Sequence, residues 1–485
     1  MLVSRFRCPS KLRYTRQWGS KGRSLHVPAG AAAHHERGPR IAIVGSGPAG
    51  FYTAQKTFRE IPGTVIDMYE QLPVPFGLVR YGVAPDHPEV KNVQDTFEEL
   101  ARSPNYTFIG NVKLGQDLPL TLLAKHYDAI VFAYGASKDR KIGLEGEDRP
   151  HIYSARAFAG DTAVVVGQGN VALDVARTLL ASIEDLKKTD MTDYAIGALA
   201  ESQIKHVHVV GRRGPLQAAF TIKEVRELLQ LPDVNFDPIP ADLFPPNTKA
   251  LERPKRRIME LLQKGSPHKP DATKSWSLDF LLSPESLSFS SASSPPELDG
   301  VRFRKTVLSD PESPASGVTF ANDYKTLSAS TLFRSIGYAA EPIPGMASIG
   351  CNFLHGTIQH DGFGRAIPIG TEKQLSTSQT NASVYCAGWV KRGPTGVIAS
   401  TMTDAFQTAE AIVDDWKRTV ISHLPHRAGW QGVKADAMRE GQKLDPVHWD
   451  QWHKIDAAEK HIGERHGKPR EKLGSVTSML EAARA

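Results

Sequence analysis

Residues 40–50 have the sequence RIAIVGSGPAG, and this short stretch decides the fold. Its first five residues form a mostly apolar, β-branched run, which is typical of a buried parallel strand. Gly45, Gly47 and Gly50 follow at G-x-G-x-x-G spacing. This spacing permits a tight turn, lets a pyrophosphate approach the backbone, and allows a helix to pack closely on the strand. Residues 51–56 continue as the predicted helix, whose N-terminus would face the phosphates.

An acidic residue completes this pattern. A second predicted strand, Thr64–Tyr69, ends at Glu70, which lies 20 residues after Gly50. A carboxylate at that place binds the ribose hydroxyl groups of a dinucleotide. The glycine spacing alone could be a chance turn, but strand, turn, helix and acid together predict a dinucleotide site. Asp67, on the same strand, is expected at the surface.

The same arrangement recurs later in the chain. Residues 161–166 predict a buried strand, and residues 173–177 predict the following helix. Between them the sequence has the accepted variant G-x-G-x-x-A. Its candidate contact residues are Gly167, Gln168, Gly169, Asn170 and Val171.

The second site ends differently from the first. Its second strand, Lys205–Gly211, is followed by Arg212 and Arg213 instead of an acid. Two guanidinium groups bind a 2′-phosphate that a carboxylate would repel, so the site is predicted to prefer NADPH over NADH. The alternative is that both arginines belong to an ordinary solvated loop.

Two dinucleotide sites in one chain indicate hydride transfer from NADPH to a flavin, with FAD at the first site and NADPH at the second. Strand–glycine elements at 129–136 and 332–338 predict where the chain crosses between domains. The predicted fold is α/β with two Rossmann-like, glutathione-reductase-like domains. An NADP domain at 139–346 is inserted in a discontinuous FAD domain, 39–138 and 347–485. Residues 265–300, rich in Ser and Pro, are predicted as surface loops with a strand at 276–281.

Charge and composition limit the other functions. The net charge of +6 is carried entirely by residues 1–36, which contain seven Lys or Arg residues and one acid. This basic leader predicts a mitochondrial transit peptide at 1–38, the alternative being a disordered basic tail. The remainder is neutral, which argues against a nucleic-acid-binding surface. No apolar run reaches the ~18 residues that a transmembrane helix needs. The three distant cysteines form no redox pair, and no metal site is predicted.

Three segments identify a family resemblance: residues 73–88, PVPFGLVRYGVAPDHP; residues 167–177; and residues 388–398, GWVKRGPTGVI. With residues 467–473, GKPREKL, they resemble the mitochondrial NADPH:adrenodoxin reductase (ferredoxin reductase) family from residue 39 onward. The resemblance implies that NADPH reduces FAD. It also implies that single electrons pass to an acidic two-iron ferredoxin that serves steroid hydroxylases and iron–sulfur cluster assembly.

The resemblance also implies individual contacts. Those to FAD fall on Ala49, Glu70, Leu78, Leu114, Trp389, Gly396, Val397 and Ile398. Those to NADPH fall on residues 168–171, Arg212, Arg213, Glu224 and Gly396. Gly396–Ile398 is predicted to open a helix whose backbone N–H groups face the flavin. Trp389 could instead be a core aromatic residue, and Glu224 a surface acid of a helix.

The resemblance suggests His87 and Asp174 as catalytic candidates that handle protons or position groups near the flavin. A lone histidine is more often structural, and Asp174 could simply pair within its own helix. Arg253 and Arg257 match the family's basic docking residues in the run RPKRR, and Lys454 is a third candidate. Opposite charges would speed the encounter with an acidic ferredoxin. The alternative is a solvated basic face.

One departure from the family stands out. After residues 154–158 the family continues with a Trp-Tyr-Asn-Gly segment and a loop, whereas here Ala159–Gly160 leads directly to Asp161. An alternative function is therefore a nucleotide-binding but catalytically impaired variant. Disulfide reductases lack support because no Cys pair exists, and glutamate-synthase-like subunits usually add cysteine clusters.

A monomer without a transmembrane helix is expected in the mitochondrial matrix. Attachment to the face of the inner membrane is left open, as are the leader cleavage site and the ferredoxin served.

Overall fold

The structure is a computed structural model that describes residues 37–149, 160–291, 294, 296–368 and 382–485. Residues 38–485 cluster as one unit. The predicted leader, 1–38, lies almost wholly outside the described residues. Residues 154–159, where the sequence departs from the family, lie wholly outside the described residues.

The first predicted strand, β1 (Arg40–Val44), lies at the centre of a five-stranded parallel sheet. The order across the sheet is β17 (Ser383–Cys386), β4 (Ala129–Phe132), β1, β2 (Val65–Tyr69) and β3 (Tyr106–Ile109). Successive β1 side chains enter two different cores, Ile41 and Ile43 on one face and Ala42 and Val44 on the other. The run is continuously apolar because both faces of the sheet are covered.

The second glycine-rich turn follows a strand of another five-stranded parallel sheet. Its order is β13 (Thr331–Arg334), β6 (Thr162–Val166), β7 (His206–Val210), β9 (Lys274–Asp279) and β8 (Val234–Phe236). The two parallel sheets confirm the predicted α/β class with two Rossmann-like units. Because β17 joins the first sheet after the second is complete, the second unit is inserted in the first. The exact domain boundaries stay predictions.

The prediction of surface loops over residues 265–300 was largely wrong. An antiparallel sheet is formed by β10 (Leu282–Ser290), β11 (Glu297–Leu308) and β12 (Val318–Ser328). Val301 and Phe303 of β11 pack in one core with Val164 and Val166 of β6. This sheet therefore covers a face of the second parallel sheet that helices cover in a simpler Rossmann unit. The strand predicted at 276–281 is present as β9.

Two strand pairs are much shorter. At the predicted crossovers, β5 (Lys138–Asp139) pairs antiparallel with β14 (Tyr338–Ala339). The chain therefore leaves the first unit and returns to it along adjacent strands. A second pair joins β15 (Phe353–Leu354) and β16 (Thr357–Ile358).

Helices cover the sheets and lead from the glycine turns. In the described residues they are α1 (Pro48–Glu60), α2 (Leu78–Tyr81), α3 (Pro88–Lys91), α4 (Val93–Ala101), α5 (Leu120–His126), α6 (Asn170–Leu180), α7 (Ile183–Leu186), α8 (Asp193–Ala200), α9 (Ile222–Gln230), α10 (Arg253–Lys264), α11 (Trp389–Arg392), α12 (Ile398–Lys417), α13 (Trp430–Arg439), α14 (Trp449–Arg465) and α15 (Val476–Arg484). Helix α1 packs along α12, which joins the N- and C-terminal parts of the first unit. Within the described part of the chain, no helix combines the length and the apolar character needed to cross a bilayer.

Asp67 is not at the surface, so that prediction was wrong. Its side chain is only 3% exposed. Its Oδ2 atom accepts hydrogen bonds from the Tyr127 hydroxyl group at 2.8 Å and from the Trp430 backbone N–H at 2.8 Å. A buried carboxylate is tolerated here because these donors compensate for its lost hydration.

Candidate active site

The first glycine-rich turn has the geometry that a dinucleotide requires. Gly45 has φ of +106°, and a Cβ atom there would lie 2.5 Å from Tyr134 Cα. At Gly50 a Cβ atom would lie 2.3 Å from the carbonyl oxygen of Gly45. Gly47 is different, because a Cβ atom there would meet no other atom within 4 Å. The turn therefore packs tightly against the rest of the protein at Gly45 and Gly50, and it leaves free space at Gly47, where a pyrophosphate would approach.

Glu70 lies beside this turn, as the spacing predicted. Its Oε2 atom accepts hydrogen bonds from the Ser46 hydroxyl group at 2.7 Å and the Ser46 backbone N–H at 3.1 Å. Its Oε1 atom accepts from the Leu72 N–H at 3.2 Å. Desolvation raises the pKa of Glu70, while these donors oppose the rise. A carboxylate has about four acceptor positions, so Glu70 could also accept from ribose hydroxyl groups.

Two distant segments converge on the same turn. The Phe76 backbone N–H donates to the Ser46 carbonyl oxygen at 2.9 Å, which brings the segment 73–88 over the glycines. A Cβ atom on Gly388 would lie 2.6 Å from the buried Ala49 Cβ, so the 388–398 segment also packs against α1. Leu78 is the first residue of α2 and is exposed.

Leu114 is buried close to Glu70. Val112, two residues earlier, donates its backbone N–H to the Glu70 carbonyl oxygen at 2.9 Å. Ala49, Glu70, Leu78 and Leu114 are thus all on segments that meet at the first turn. The structure shows this convergence, and their contacts with a flavin stay predictions.

The 396–398 segment opens helix α12, as predicted. Gly396 has φ of +79°, Val397 precedes the helix, and Ile398 is its first residue. The first N–H groups of a helix have no partner within it and are available to a ligand. Val397 is exposed although it is apolar, as is Leu78. A large apolar ring system would cover such side chains, which fits a flavin.

The position of Trp389 is compatible with both predicted roles, a contact of the flavin and a core aromatic residue. It starts the short helix α11 and stacks on Tyr338, with ring centroids 5.8 Å apart and an interplanar angle of 22°. It is only partly buried, so it retains surface for another ring.

The second turn repeats the first in detail. The Gly167 N–H donates to the Val210 carbonyl oxygen at 2.8 Å, just as the Gly45 N–H donates to Tyr69 at 2.8 Å. A Cβ atom on Gly169 would meet no atom within 4 Å, so this glycine also leaves room for a phosphate.

The polar side chains of this turn are held in place by the second unit. Gln168 donates to the Asp279 carbonyl oxygen at 3.2 Å, and Asn170 Oδ1 accepts from the Thr221 N–H at 2.8 Å. These bonds fix the turn, whereas Val171 is exposed beside it.

Arg212 and Arg213 follow β7 on a fixed backbone. The Thr306 hydroxyl group donates to the Arg212 carbonyl oxygen at 2.7 Å, and the Leu281 N–H donates to that of Arg213 at 3.2 Å. Among the described residues, neither guanidinium group has an ion-pair partner. Arg212 is exposed and Arg213 is half-buried. Two unpaired cations on a rigid loop form a suitable site for a dianionic phosphate.

Lys255 braces this loop and was not among the predicted site residues. Its Nζ atom donates to the carbonyl oxygens of Leu216 at 3.0 Å and Ala218 at 2.9 Å. Burial and the charge of Arg213 lower the pKa of Lys255. Lys255 belongs to the basic run of α10 but turns away from the solvent-facing arginines of that run.

His87, Asp174 and Glu224, three predicted site residues, are brought together around Arg177. The Arg177 side chain is 4% exposed and donates to Asp174 at 2.7 Å, Glu224 at 3.1 Å and Asp86 at 2.6 Å. His87 Nε2 lies 2.7 Å from a carboxylate oxygen of Glu227. Asp86 and His87 belong to the first unit and the others to the second, so this cluster bridges the two units.

Asp86, His87, Arg177 and Glu227 of this cluster line an open cavity of about 240 Å³. Burial raises the pKa of Asp174 to about 6, despite the opposing charge of Arg177. One ligand atom each from His87, Asp174 and Glu224 lies within 4.8 Å of the others, a spacing compatible with a metal ion. Arg177 already supplies the positive charge there, so we interpret the group as an ion-pair cluster.

The described cysteines do not form a redox pair. Cys351 and Cys386 are free and buried. Burial raises the pKa of the Cys351 thiol to about 12 and also raises that of Cys386. Both thiols are therefore held away from the thiolate form that disulfide chemistry requires.

Comparisons with known proteins show which family the chain belongs to. No protein-family profile matches the chain. The mitochondrial NADPH:adrenodoxin oxidoreductase of Salvelinus fontinalis is 40% identical over 504 residues, covering 98% of this chain and 95% of the relative. That of Mus musculus is 41% identical over 473 residues, with 92% of each chain covered. The chain belongs to the NADPH:adrenodoxin oxidoreductase family.

A solved structure of lower identity agrees with this family assignment. FprA from Mycobacterium tuberculosis, solved in complex with NADPH, superposes with a TM-score of 0.79 at 32% identity. The match covers 93% of this chain and all of FprA. The resemblance found in the glycine-rich and C-terminal motifs is therefore confirmed across nearly the whole chain.

The docking residues inferred from this adrenodoxin oxidoreductase resemblance are accessible. Arg253 and Arg257 lie on α10 and Lys454 lies on α14, and all three are exposed. Helix α10 begins at Arg253, so the basic run forms the first turn of the helix. No described contact joins Lys454 to α10, and a shared docking face stays a prediction.

Several residues important to the adrenodoxin oxidoreductase site were not found from the sequence. Arg177 lies three residues after Asp174 on α6, and that spacing could have indicated their pair. Its bond to Asp86 spans 91 positions and has no local signal. Lys255 was visible only as one member of a basic run.

Proposed function

We propose that this chain is an FAD-dependent NADPH:ferredoxin oxidoreductase whose acceptor is an acidic two-iron ferredoxin of the adrenodoxin type. The observation that carries the proposal is the contrast between two otherwise matching glycine turns. The first is followed by Glu70, and the second by Arg212 and Arg213, which have no ion-pair partner among the described residues. An acid suits an unphosphorylated ribose, whereas two adjacent arginines suit the 2′-phosphate of NADPH.

The first turn would hold FAD. Bound FAD supplies the conversion between a two-electron donor and a one-electron acceptor. Gly45, Gly47 and Gly50 would admit the pyrophosphate, and Glu70 would accept hydrogen bonds from the ribose. Leu78, Val397 and the partly buried Trp389 would exclude water from the ring system, and the N-terminus of α12 would face its electron-rich edge.

The second turn would hold NADPH. Gly167 and Gly169 would bring the backbone close to the pyrophosphate, with Gln168 and Asn170 fixing the turn from behind. Arg212 and Arg213 would bind the 2′-phosphate. Residues 168–171, Glu224 and Gly396 complete the contacts that the family resemblance implies.

The cluster around Arg177 would serve the reaction by positioning and by holding a proton. With the pKa of its carboxyl group raised to about 6, Asp174 would carry a proton on a carboxylate oxygen in mildly acidic solution. His87, in contact with Glu227 and close to Arg177, would connect this carboxyl group to the cavity. We propose His87 and Asp174 as the proton-handling residues of the site.

Absorbance spectroscopy and a coupled assay test the proposed function. Purified protein should show flavin absorbance that NADPH bleaches and NADH bleaches poorly. Cytochrome c reduction should then depend on added ferredoxin. The comparisons give no support to the alternative of a catalytically impaired variant. A protein that binds flavin and NADPH without bleaching would nevertheless favour that alternative and overturn the proposal.

Docking of the ferredoxin is tested separately with Arg257→Glu. Reversing one exposed charge should raise the apparent KM for ferredoxin about 5- to 50-fold at low ionic strength, since steering by opposite charges is lost. NADPH-dependent reduction of ferricyanide, which needs no docking, should be unchanged. Unaltered ferredoxin kinetics at low salt would remove Arg257 from the docking surface.

Location and pathway are also proposals. The curated relatives are named as mitochondrial proteins, and residues 1–38 have the composition of a transit peptide. We propose a monomer in the mitochondrial matrix or on the face of the inner membrane. Its electrons would reach steroid hydroxylases and iron–sulfur cluster assembly. Fractionation of mitochondria, followed by carbonate extraction, separates the matrix from the membrane-attached location.

A further inference from the structure

Residues 467–473, GKPREKL, were part of the family resemblance but have no place in the function proposed above. We call them the C-terminal strap. The strap follows helix α14 and makes buried polar contacts with both nucleotide-binding units.

Its contacts with the first unit run through Glu459. This side chain is fully buried and accepts two hydrogen bonds from Arg80 Nη2, at 2.5 and 2.6 Å. Within the strap, Arg470 Nη1 donates to Glu459 at 3.0 Å and the Leu473 N–H donates at 2.9 Å. Arg80 lies in α2, two residues after Leu78. The strap is therefore anchored to the segment that would hold the flavin.

Its contacts with the second unit run through two lysines. Lys468 Nζ donates to the Met191 carbonyl oxygen at 2.8 Å and to Asp193 at 2.6 Å. Lys472 forms an ion pair with Asp190 at 2.8 Å. Residues 190–192 lie between α7 and α8, and Asp193 is the first residue of α8, in the connection from β6 to β7 of the second sheet.

Both lysines are shielded from solvent, although Asp193, the partner of Lys468, is 49% exposed. The Lys468 side chain is 1% exposed, and those of Lys472 and Asp190 are 15% and 12% exposed. Lys91 of the first unit also reaches Asp190, at 2.5 Å. Burial opposes ionisation of Asp190, but Lys472 and Lys91 together lower its pKa. Breaking a pair with a buried member costs more than breaking a solvated surface pair, because the remaining buried charge is left uncompensated.

Hydride transfer places a demand on the relation between the two units. Each nucleotide is held by a different unit, so the approach of the two reacting rings depends on how the units are oriented. A displacement of ~1 Å can cost ~100-fold in rate. We infer that Lys468 and Lys472 are positioning residues, which hold the NADPH-binding unit at the angle and distance that hydride transfer to the flavin requires. This inference rests on the proposed function.

The test uses the full-length chain with Lys468→Met and Lys472→Met combined. Flavin reduction at saturating NADPH, followed by stopped flow, should slow between about tenfold and 100-fold. Flavin content and the Kd for NADP⁺ should stay within about twofold, because neither binding site is touched. Lys468 also pairs with Glu471, whose carboxylate accepts from the Asp193 N–H at 3.1 Å. Backbone amides at residues 190–195 should therefore exchange hydrogen faster, since Lys468→Met frees the carboxylate that supports this N–H.

Lys188→Met is the matched control. It removes one lysine and one ion pair from the same connection, but its partner, Asp185, is three residues away in α7 and the pair is exposed. This variant should match the wild type in reduction rate and hydrogen exchange. Lys472→Arg, which keeps the charge, should retain most of the wild-type rate.

Several results would overturn the inference. Wild-type reduction kinetics in the double variant would show that the strap does not set the geometry. Loss of flavin, or equal slowing in the Lys188→Met control, would show a general effect on folding. If the double variant does not fold, Lys472→Gln alone is held to the same criteria. Should the wild type itself fail to oxidise NADPH, the proposed function fails, while the exchange of residues 190–195 still tests the strap.

Discussion

Removing both arginines after β7, by Arg212→Ala combined with Arg213→Ala, should convert the preference for NADPH into near indifference. Among the described residues neither guanidinium group has an ion-pair partner, so truncation breaks no such contact of the folded chain. The backbone is held independently through Thr306 and Leu281. The loss should therefore appear in binding of the 2′-phosphate and leave stability nearly unchanged.

The size of the effect follows from the exposure of each arginine. Arg213 is half-buried, and a hydrogen bond to a charged group contributes about 1.5–3 kcal/mol. Arg212 is exposed, and a charge pair at about 4 Å in water contributes only about 1 kcal/mol. Together they give about 2.5–4 kcal/mol, or roughly 100- to 1,000-fold in kcat/KM for NADPH. NADH lacks the phosphate, so its kcat/KM should change less than about threefold.

The assay is NADPH- and NADH-dependent reduction of ferricyanide at fixed ionic strength, with Arg256→Ala as the control. Arg256 is half-buried like Arg213, but it lies on α10 and pairs with Glu260 of the same helix at 3.9 Å. Lys255→Met should have an intermediate effect, because it loosens the loop without removing a phosphate ligand. An unchanged ratio of NADPH to NADH in the double variant would refute the assignment of the 2′-phosphate site.

Three further substitutions test other parts of the structure. Glu459→Gln should lower the free energy of unfolding by about 3–5 kcal/mol, because it leaves buried arginine charges uncompensated. The control, Glu464→Gln, is exposed on the same helix and should change the free energy of unfolding by less than about 0.5 kcal/mol in thermal melts. Equal losses in the two variants would contradict the reasoning. Asp174→Asn tests the pKa of Asp174, which is raised in the folded protein to about 6 from 3.8. The wild type should lose up to about 3 kcal/mol of unfolding free energy relative to this variant as the pH rises from about 4 to 6, because the unfolded chain releases the proton at lower pH. Parallel melting curves of the two proteins across this pH range would argue against the shift. Gly50→Ala places a Cβ atom 2.3 Å from a backbone oxygen of the turn and should abolish flavin binding, whereas Gly197→Ala, in open space on α8, should leave the flavin content of the purified protein unchanged.

The sequence predicted best what is local. Each glycine turn lies within about fifty residues of its flanking strand and helix and of the acid or arginines at the end of the next strand. Their spacing is set by the geometry of a single β-α-β unit, so it is visible in any one chain. The family motifs extended the prediction to Leu114 and to the 396–398 segment, which no local pattern would have joined to the first turn.

What failed depends on contacts between distant positions. Asp67 was expected at the surface because a carboxylate is usually solvated, but its donors are 60 and 363 residues away. The bridging cluster around Arg177 and the strap contacts of Lys468 have the same origin. The antiparallel sheet was missed because Ser and Pro are typical of loops. Its alternation of Val301 and Phe303 with Arg302 and Arg304 was nevertheless a usable period-two signal.

The pairing of β5 with β14 has a consequence for the modularity of this protein. Antiparallel partners lie about 5 Å apart, so the two ends of the inserted unit are as close as the ends of a hairpin. A whole nucleotide-binding module can therefore be inserted or removed between these two strands without straining the backbone of the first unit. The first unit would be closed by a tight turn, and the module would need no linker of its own. Such adjacent ends make this place in the fold suited to domain exchange.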